Sequence, residues 1–215
     1  ESFVESPAHD RFLERRSTAL LCIDLQYLDA ARGYGVFQAF GSEEEQRSFD
    51  YYFKTLEGYV LKNVRRLQDA FRSHDLEVIH IRIRSLTRDG RDRSKGHKRL
   101  SLLAPPDSRE AEFLEEVAPQ GDEIVIDKTA SGVFSSTNLN YVLTNLGITA
   151  LYVVGVYTNE CVETTVRDAC DLGYLVTIVD DGCTTVTPAL HEASLTTLRD
   201  RYARVVSTEE AIANV

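Results

Sequence analysis

Short, largely apolar runs recur along this chain at 18–23, 77–83, 123–126, 151–154, 174–179 and 203–206, the second alternating with His80 and Arg82 and so suggesting one partly polar face. Each has the length and β-branched content of a strand, and the first, bounded by charge, suits one buried on both faces of a parallel sheet. Between them the apolar positions switch to helical spacing. From 43 to 73, Phe49, Tyr52, Phe53, Leu56, Tyr59, Val60, Val64, Leu67, Ala70 and Phe71 trace a long helix, interrupted near Gly58. Shorter helices are predicted at 108–117, at 138–146 with Gly147 as its cap, from Cys161 to 172–173, and from Pro188 to about 201. Strands alternating with helices predict right-handed crossovers, hence an α/β fold: a three-layer, doubly wound (Rossmann-like) six-stranded parallel sheet with helices on both faces.

Residues 1–17 break this pattern, being polar and charged with Pro7 and Arg15-Arg16. They are expected to be an N-terminal arm, on the surface or on a neighbouring subunit of a homo-oligomer (a dimer or tetramer), followed by one domain over 18–215.

Polar residues at strand ends carry the chemistry. The run Leu151-Tyr152-Val153-Val154 stops at Gly155, and Cys161 then opens an amphipathic helix. A thiol there meets unpaired N–H groups and the positive end of the helix dipole, so it is expected to ionise readily and act as a nucleophile at neutral pH. A buried, inert cysteine is the competing reading. Asp24 ends the first strand and Lys128 follows the third. The carboxyl ends of parallel strands share one rim, where ligands bind. An acid, an ammonium and a thiol therefore converge. Gln26, Tyr27 and Phe37 in the loop after Asp24, and Phe134 in the loop after Lys128, are candidates to line a substrate pocket. The cation-rich segment 87–99 lies beside the same rim, so Arg84, Arg93 or Lys98 is a candidate for an anionic or carbonyl-rich substrate, against the plainer reading of a solvated loop. His80 reads as a hydrogen-bonded structural histidine.

The set Asp24, Lys128 and Cys161, with Gly155-Val156-Tyr157-Thr158-Asn159-Glu160-Cys161-Val162 around the thiol, resembles the isochorismatase-like cysteine hydrolases over about 18–206. The resemblance implies a covalent hydrolase: Cys161 as nucleophile, Asp24 as acid and base, Lys128 as electrostatic support. It also implies an oxyanion hole from the N–H groups of Tyr157 and Cys161, with a cis peptide between Val156 and Tyr157. Family members that hydrolyse isochorismate lack the cysteine, and the nicotinamidase branch carries an Asp-x-His metal motif. None of His9, His74, His80, His97 and His191 sits in such a motif, so no metal and no cofactor is expected. The resemblance is nearest the ureidoacrylate and biuret amidohydrolases, which implies hydrolysis of a C–N bond in a small amide or ureide. The alternatives are a non-catalytic member serving as a binding or scaffold protein, or a nicotinamidase or N-carbamoyl amidase activity.

Composition narrows the picture further. A net charge of -10 over 215 residues opposes nucleic acid as a partner. No apolar run approaches the roughly 20 residues that span a bilayer, and the polar start lacks a signal-like segment, so no membrane partner is expected. The cysteines, 22, 161, 170 and 183, form no CxxC pair, which suits reduced thiols and a cytoplasmic address. The chain contains no Met, even at position 1, so its translation start is expected upstream.

Overall fold

The structure, a computed structural model, describes residues 17–38 and 49–215. The arm 1–17, Ser17 apart, and the first turns of the 43–73 helix lie outside the described residues. Six parallel strands, β1 (Thr18–Ile23), β2 (Glu77–Ile83), β3 (Val125–Lys128), β4 (Ala150–Val156), β5 (Leu175–Thr184) and β6 (Arg204–Val206), line up in the order β3-β2-β1-β4-β5-β6. This is the doubly wound α/β sheet expected from the alternation.

Alternate residues of each strand serve two separate cores, because side chains of a strand point to opposite faces. Ala19, Leu21 and Ile23 pack with Leu139, Leu143, Val162, Val166 and Leu195 on one face. Leu20 and Cys22 pack with Tyr52, Leu56, Val64, Leu67 and Phe71 on the other. The three layers follow from that division.

The long helix is three segments: α-helical Asp50–Thr55, a π turn Leu56–Val60 that includes Gly58, and α-helical Leu61–Ser73. Its interruption is thus a widened turn within a continuous helix. Residues 108–117 are not the expected helix; they form two single 3-10 turns, Arg109–Ala111 and Glu115–Val117. The reason is competition for the backbone. Leu114 N–H donates to Leu25 O at 3.0 Å and Tyr27 N–H to Glu112 O at 2.9 Å, a strand-like pairing with the loop after β1. β5 also outruns its predicted end at 179, since a register shift between Val153 and Gly155 lets Gly155 pair with Cys183. A closing helix, Thr208–Ala213, carries a complete Ser207/Glu210 capping box. Among the described residues, no helix is long and apolar enough to cross a membrane.

Candidate active site

β1 and β4 adjoin at the point where the sheet reverses its winding. Connections leaving two such strands diverge to opposite faces and open a crevice at their carboxyl ends. Asp24 stands on one lip, directly after β1, with φ at 53° and its N–H donating to Ile81 O at 2.9 Å. A non-glycine residue in that left-handed region is strained, and such strain persists only where surrounding contacts dictate it. Across the crevice, Gly155 has φ 123°, and a Cβ there would lie 2.1 Å from Ile23 O. Only glycine lets β4 close on the residue preceding Asp24. We therefore expect Gly155→Ala to cost about 3 kcal/mol of unfolding free energy. A urea midpoint equal to wild type would show that the strands do not need this approach.

After Gly155 the Val156–Tyr157 peptide is cis. A π turn, Thr158–Val162, carries Cys161 and runs directly into the helix Glu163–Asp171, so the thiol lies within the first helical turn instead of opening the helix. Lys128 closes the triangle. It ends β3, two strands from β1 and so roughly 10 Å across the sheet, a gap its long side chain crosses. Nζ lies 2.9 Å from Asp24 Oδ2. It donates to Cys161 Sγ at 3.3 Å and to Ala130 O at 3.0 Å. Asp24, Lys128 and Cys161 are 1%, 0% and 5% exposed, so their charges interact with little screening. Neither Asp24 oxygen has an aligned hydrogen bond among the described residues. The ammonium approaches out of line, which leaves the carboxylate free to accept a proton.

Burial governs how these groups ionise. It raises Asp24, opposed by the Lys128 charge and by the close approach of the Cys161 thiol. It also raises Cys161 well above the usual thiol range: Lys128 opposes this, while the Asp24 charge reinforces it. Burial disfavours the Lys128 ammonium, but the charge of Asp24, foremost among its neighbours, holds it above the usual lysine range. Burial and the Asp24 carboxyl thus work against ionisation of the thiol, and the Lys128 ammonium works for it. The helix N-terminus that favours a thiolate in the sequence is therefore opposed, in the folded site, by desolvation.

The other candidate residues divide by what their polar atoms touch. Gln26, 0% exposed, donates to Ile83 O and Glu110 O, both at 2.9 Å, and accepts from Ile83 N–H at 2.6 Å. It clamps the loop to β2. Tyr27 lies under the Arg109 guanidinium, 3.9 Å from the ring centre, and its hydroxyl accepts from Arg109. Phe37 packs among Phe49, Tyr52 and Phe53 and lines a surface cavity of about 350 Å³ with Arg32 and Asp50. Phe134 stacks on Tyr174 with ring centres 6.0 Å apart. Arg84 pairs with Asp127 at 2.8 Å. Two of the cations of 87–99 bond backbone carbonyls of their own loop, Arg93 to Gly90 O and Leu102 O and Lys98 to Arg91 O. They close the loop on itself. His80 bonds Glu123 at 2.8 Å, and His191 bonds both Thr158 and Asp180 at 2.8 Å.

Two residues beside the site escaped the sequence reading. Asp29, in the one-turn helix Tyr27–Ala30, is a second buried carboxyl, 3% exposed; an acid five residues after Asp24 was the only signal. His97, in the helix Lys95–Arg99, is 2% exposed with neither ring nitrogen bonded among the described residues. Ser94 N–H donates to Thr129 O at 2.9 Å and docks this segment beside Lys128. Burial, then the Lys128 and Arg93 charges, lower His97 from 6.5 to about 4. Unfolded His97 binds a proton below pH 6.5 that folded His97 refuses until about pH 4, so stability falls as pH drops through that window. The loss is about 3 kcal/mol. His97→Phe should flatten urea-unfolding stability across the window; an unchanged slope would assign it to other groups.

Among the described residues, no group of three His, Cys, Asp or Glu side chains could hold a metal ion. The isochorismatase domain family matches residues 18–210. The ureidoacrylate amidohydrolase RutB of Acinetobacter baylyi is 34% identical over 47% of this chain and 42% of its own length. A probable inactive nicotinamidase of Arabidopsis thaliana, At3g16190, is 30% identical over 86% of this chain and 89% of its own. A crystal structure of a cysteine hydrolase from Pseudomonas syringae pv. phaseolicola 1448A superposes with TM-score 0.78 at 24% identity, covering 94% of this chain and 93% of that one. At that identity the likeness is one of fold. With 18–210 matched as a single unit, the chain belongs to the isochorismatase family of hydrolases.

Proposed function

We propose that this chain is a cysteine amidohydrolase that cleaves a C–N bond of a small amide or ureide through a covalent acyl-enzyme. The observation that carries the reading is one buried ammonium, Lys128, in contact with both a carboxylate and a thiol, at 2.9 and 3.3 Å. A thiol whose ionisation burial opposes must lose its proton as it attacks, and Asp24 is the acceptor in reach. Sγ adds to the substrate carbonyl carbon while the thiol proton passes to Asp24. The carbonyl oxygen gains the negative charge, facing the N–H groups of Tyr157 and Cys161 in the oxyanion role, each worth about 3 kcal/mol of barrier. Collapse breaks the C–N bond, and Asp24 returns its proton to the leaving nitrogen. Water then attacks the thioester, giving a proton to Asp24, which passes it to the departing sulfur. Lys128 holds Asp24 ionised between these transfers.

The relatives named for activity support the substrate class, RutB being a ureidoacrylate amidohydrolase. An ammonia-release screen over biuret, ureidoacrylate, nicotinamide, formamides and N-carbamoyl acids tests it, with Cys161→Ser as the control. At least one compound should release ammonia by way of Cys161. Activity should also survive exhaustive chelation, since the steps above need no metal; loss on EDTA treatment and recovery with zinc would reverse this. The probable inactive relative favours a second reading, a non-catalytic binding member, which predicts no release from any compound and no selective labelling of Cys161.

A further inference from the structure

The crevice holds a second carboxyl that this chemistry leaves unused. Asp29 Oδ2 has no hydrogen-bond partner among the described residues, although the residue is 3% exposed. Its position is fixed: Tyr52 and Tyr157 both donate their hydroxyls to its backbone carbonyl, at 2.6 and 3.1 Å. Asp29 is thereby tied to the residue that leads into the Cys161 turn. An unpaired buried polar atom is costly, and native proteins retain few of them without a role.

Charge decides what form this group takes. Lys128 is the buried ammonium here, and Asp24 already contacts it at 2.9 Å. A second ionised carboxyl would leave the buried cluster with uncompensated negative charge. Burial first, and then repulsion from Asp24, hold Asp29 well above the usual carboxylate range, with Lys128 opposing. A protonated carboxyl presents an O–H donor beside a C=O acceptor. An amide or ureide edge presents the complement, C=O beside N–H, and satisfies both at once. An anionic ligand offers no donor in return and adds another negative charge.

We propose that Asp29 is the specificity-determining residue of this crevice, its buried carboxyl group, with Oδ2 unpartnered among the described residues, pairing with the amide or ureide edge of an uncharged substrate. The assignment deepens the amidohydrolase reading and rests on it for the reaction that follows binding.

Alkylation of Cys161 tests the pairing without turnover. Iodoacetamide, iodoacetate and 2-bromoethylamine carry an amide, an anion and a cation to the same sulfur. Their rates at Cys161, read by peptide mass spectrometry, are each divided by the rate with glutathione. Wild type should favour iodoacetamide over both others by about tenfold, the scale of one satisfied buried pair. Asp29→Asn keeps the shape with a donor and an acceptor and should retain the preference, whereas Asp29→Leu should lose it. Preference for bromoethylamine would mean an ionised carboxylate and overturn the proposal. So would equal normalised rates in wild type, or Asp29→Asn behaving like wild type stripped of any preference. Wild type and Asp29→Asn decide the matter even if Asp29→Leu does not fold. Failure of the amidohydrolase reading shows separately, as turnover that survives Cys161→Ser.

Discussion

Cys161→Ser is expected to reduce amide turnover by about 10⁴-fold or more while leaving the thermal midpoint nearly unchanged. The hydroxyl is close in shape to the thiol and keeps the Lys128 donor at hand, so the buried cluster loses no partner. What it loses is acidity and nucleophilicity. A thiol with Asp24 beside it needs one proton transfer to become reactive, but an alcohol in the same place is far harder to ionise. Turnover near wild type in this variant would remove Cys161 from the mechanism.

Asp24→Asn is expected to separate two properties that the wild-type site couples. Turnover should fall by about 100-fold or more, because the variant has no acceptor for the thiol proton and no acid for the leaving nitrogen. Thiol ionisation should move the other way. The Asp24 charge raises Cys161 and Lys128 lowers it, so losing the carboxylate leaves the ammonium facing the sulfur alone. Alkylation of Cys161 by iodoacetamide should then persist and set in at lower pH than in wild type. Turnover within a few-fold of wild type would make Asp24 structural. Alkylation lost together with turnover would show that Asp24 is needed to form the thiolate at all.

The sheet was legible because its strands are buried on both faces, so Leu20 and Leu21 are apolar for separate reasons and the run reads as continuous. The rim residues were legible because a charge at the end of such a run has no packing role to play. Backbone competition was not. Residues 108–117 have helical spacing, yet Leu25 and Tyr27 take their hydrogen bonds, and nothing local announces that partner. Asp180 and Asp181 hid the extension of β5, since their carboxylates are satisfied by His191, Asn63 and Thr208 from other elements. The final helix went unread although its Ser207/Glu210 capping box stands in the sequence. Ionisation was the least accessible property. A helix N-terminus is visible in sequence, but the desolvation that opposes ionisation of Cys161, and the burial of a second carboxyl at Asp29, depend on how the whole chain packs around the rim.

The covalent step itself is tested most directly by partitioning. Once the screen has supplied a substrate, hydroxylamine is added during hydrolysis of its amide and of an ester of the same acyl group, and the ratio of hydroxamate to acid is measured for each. A shared Cys161 thioester no longer contains the leaving group, so the two ratios should be equal at every hydroxylamine concentration. Ratios that change with the leaving group would contradict the acyl-enzyme and point to direct attack of water on the bound substrate.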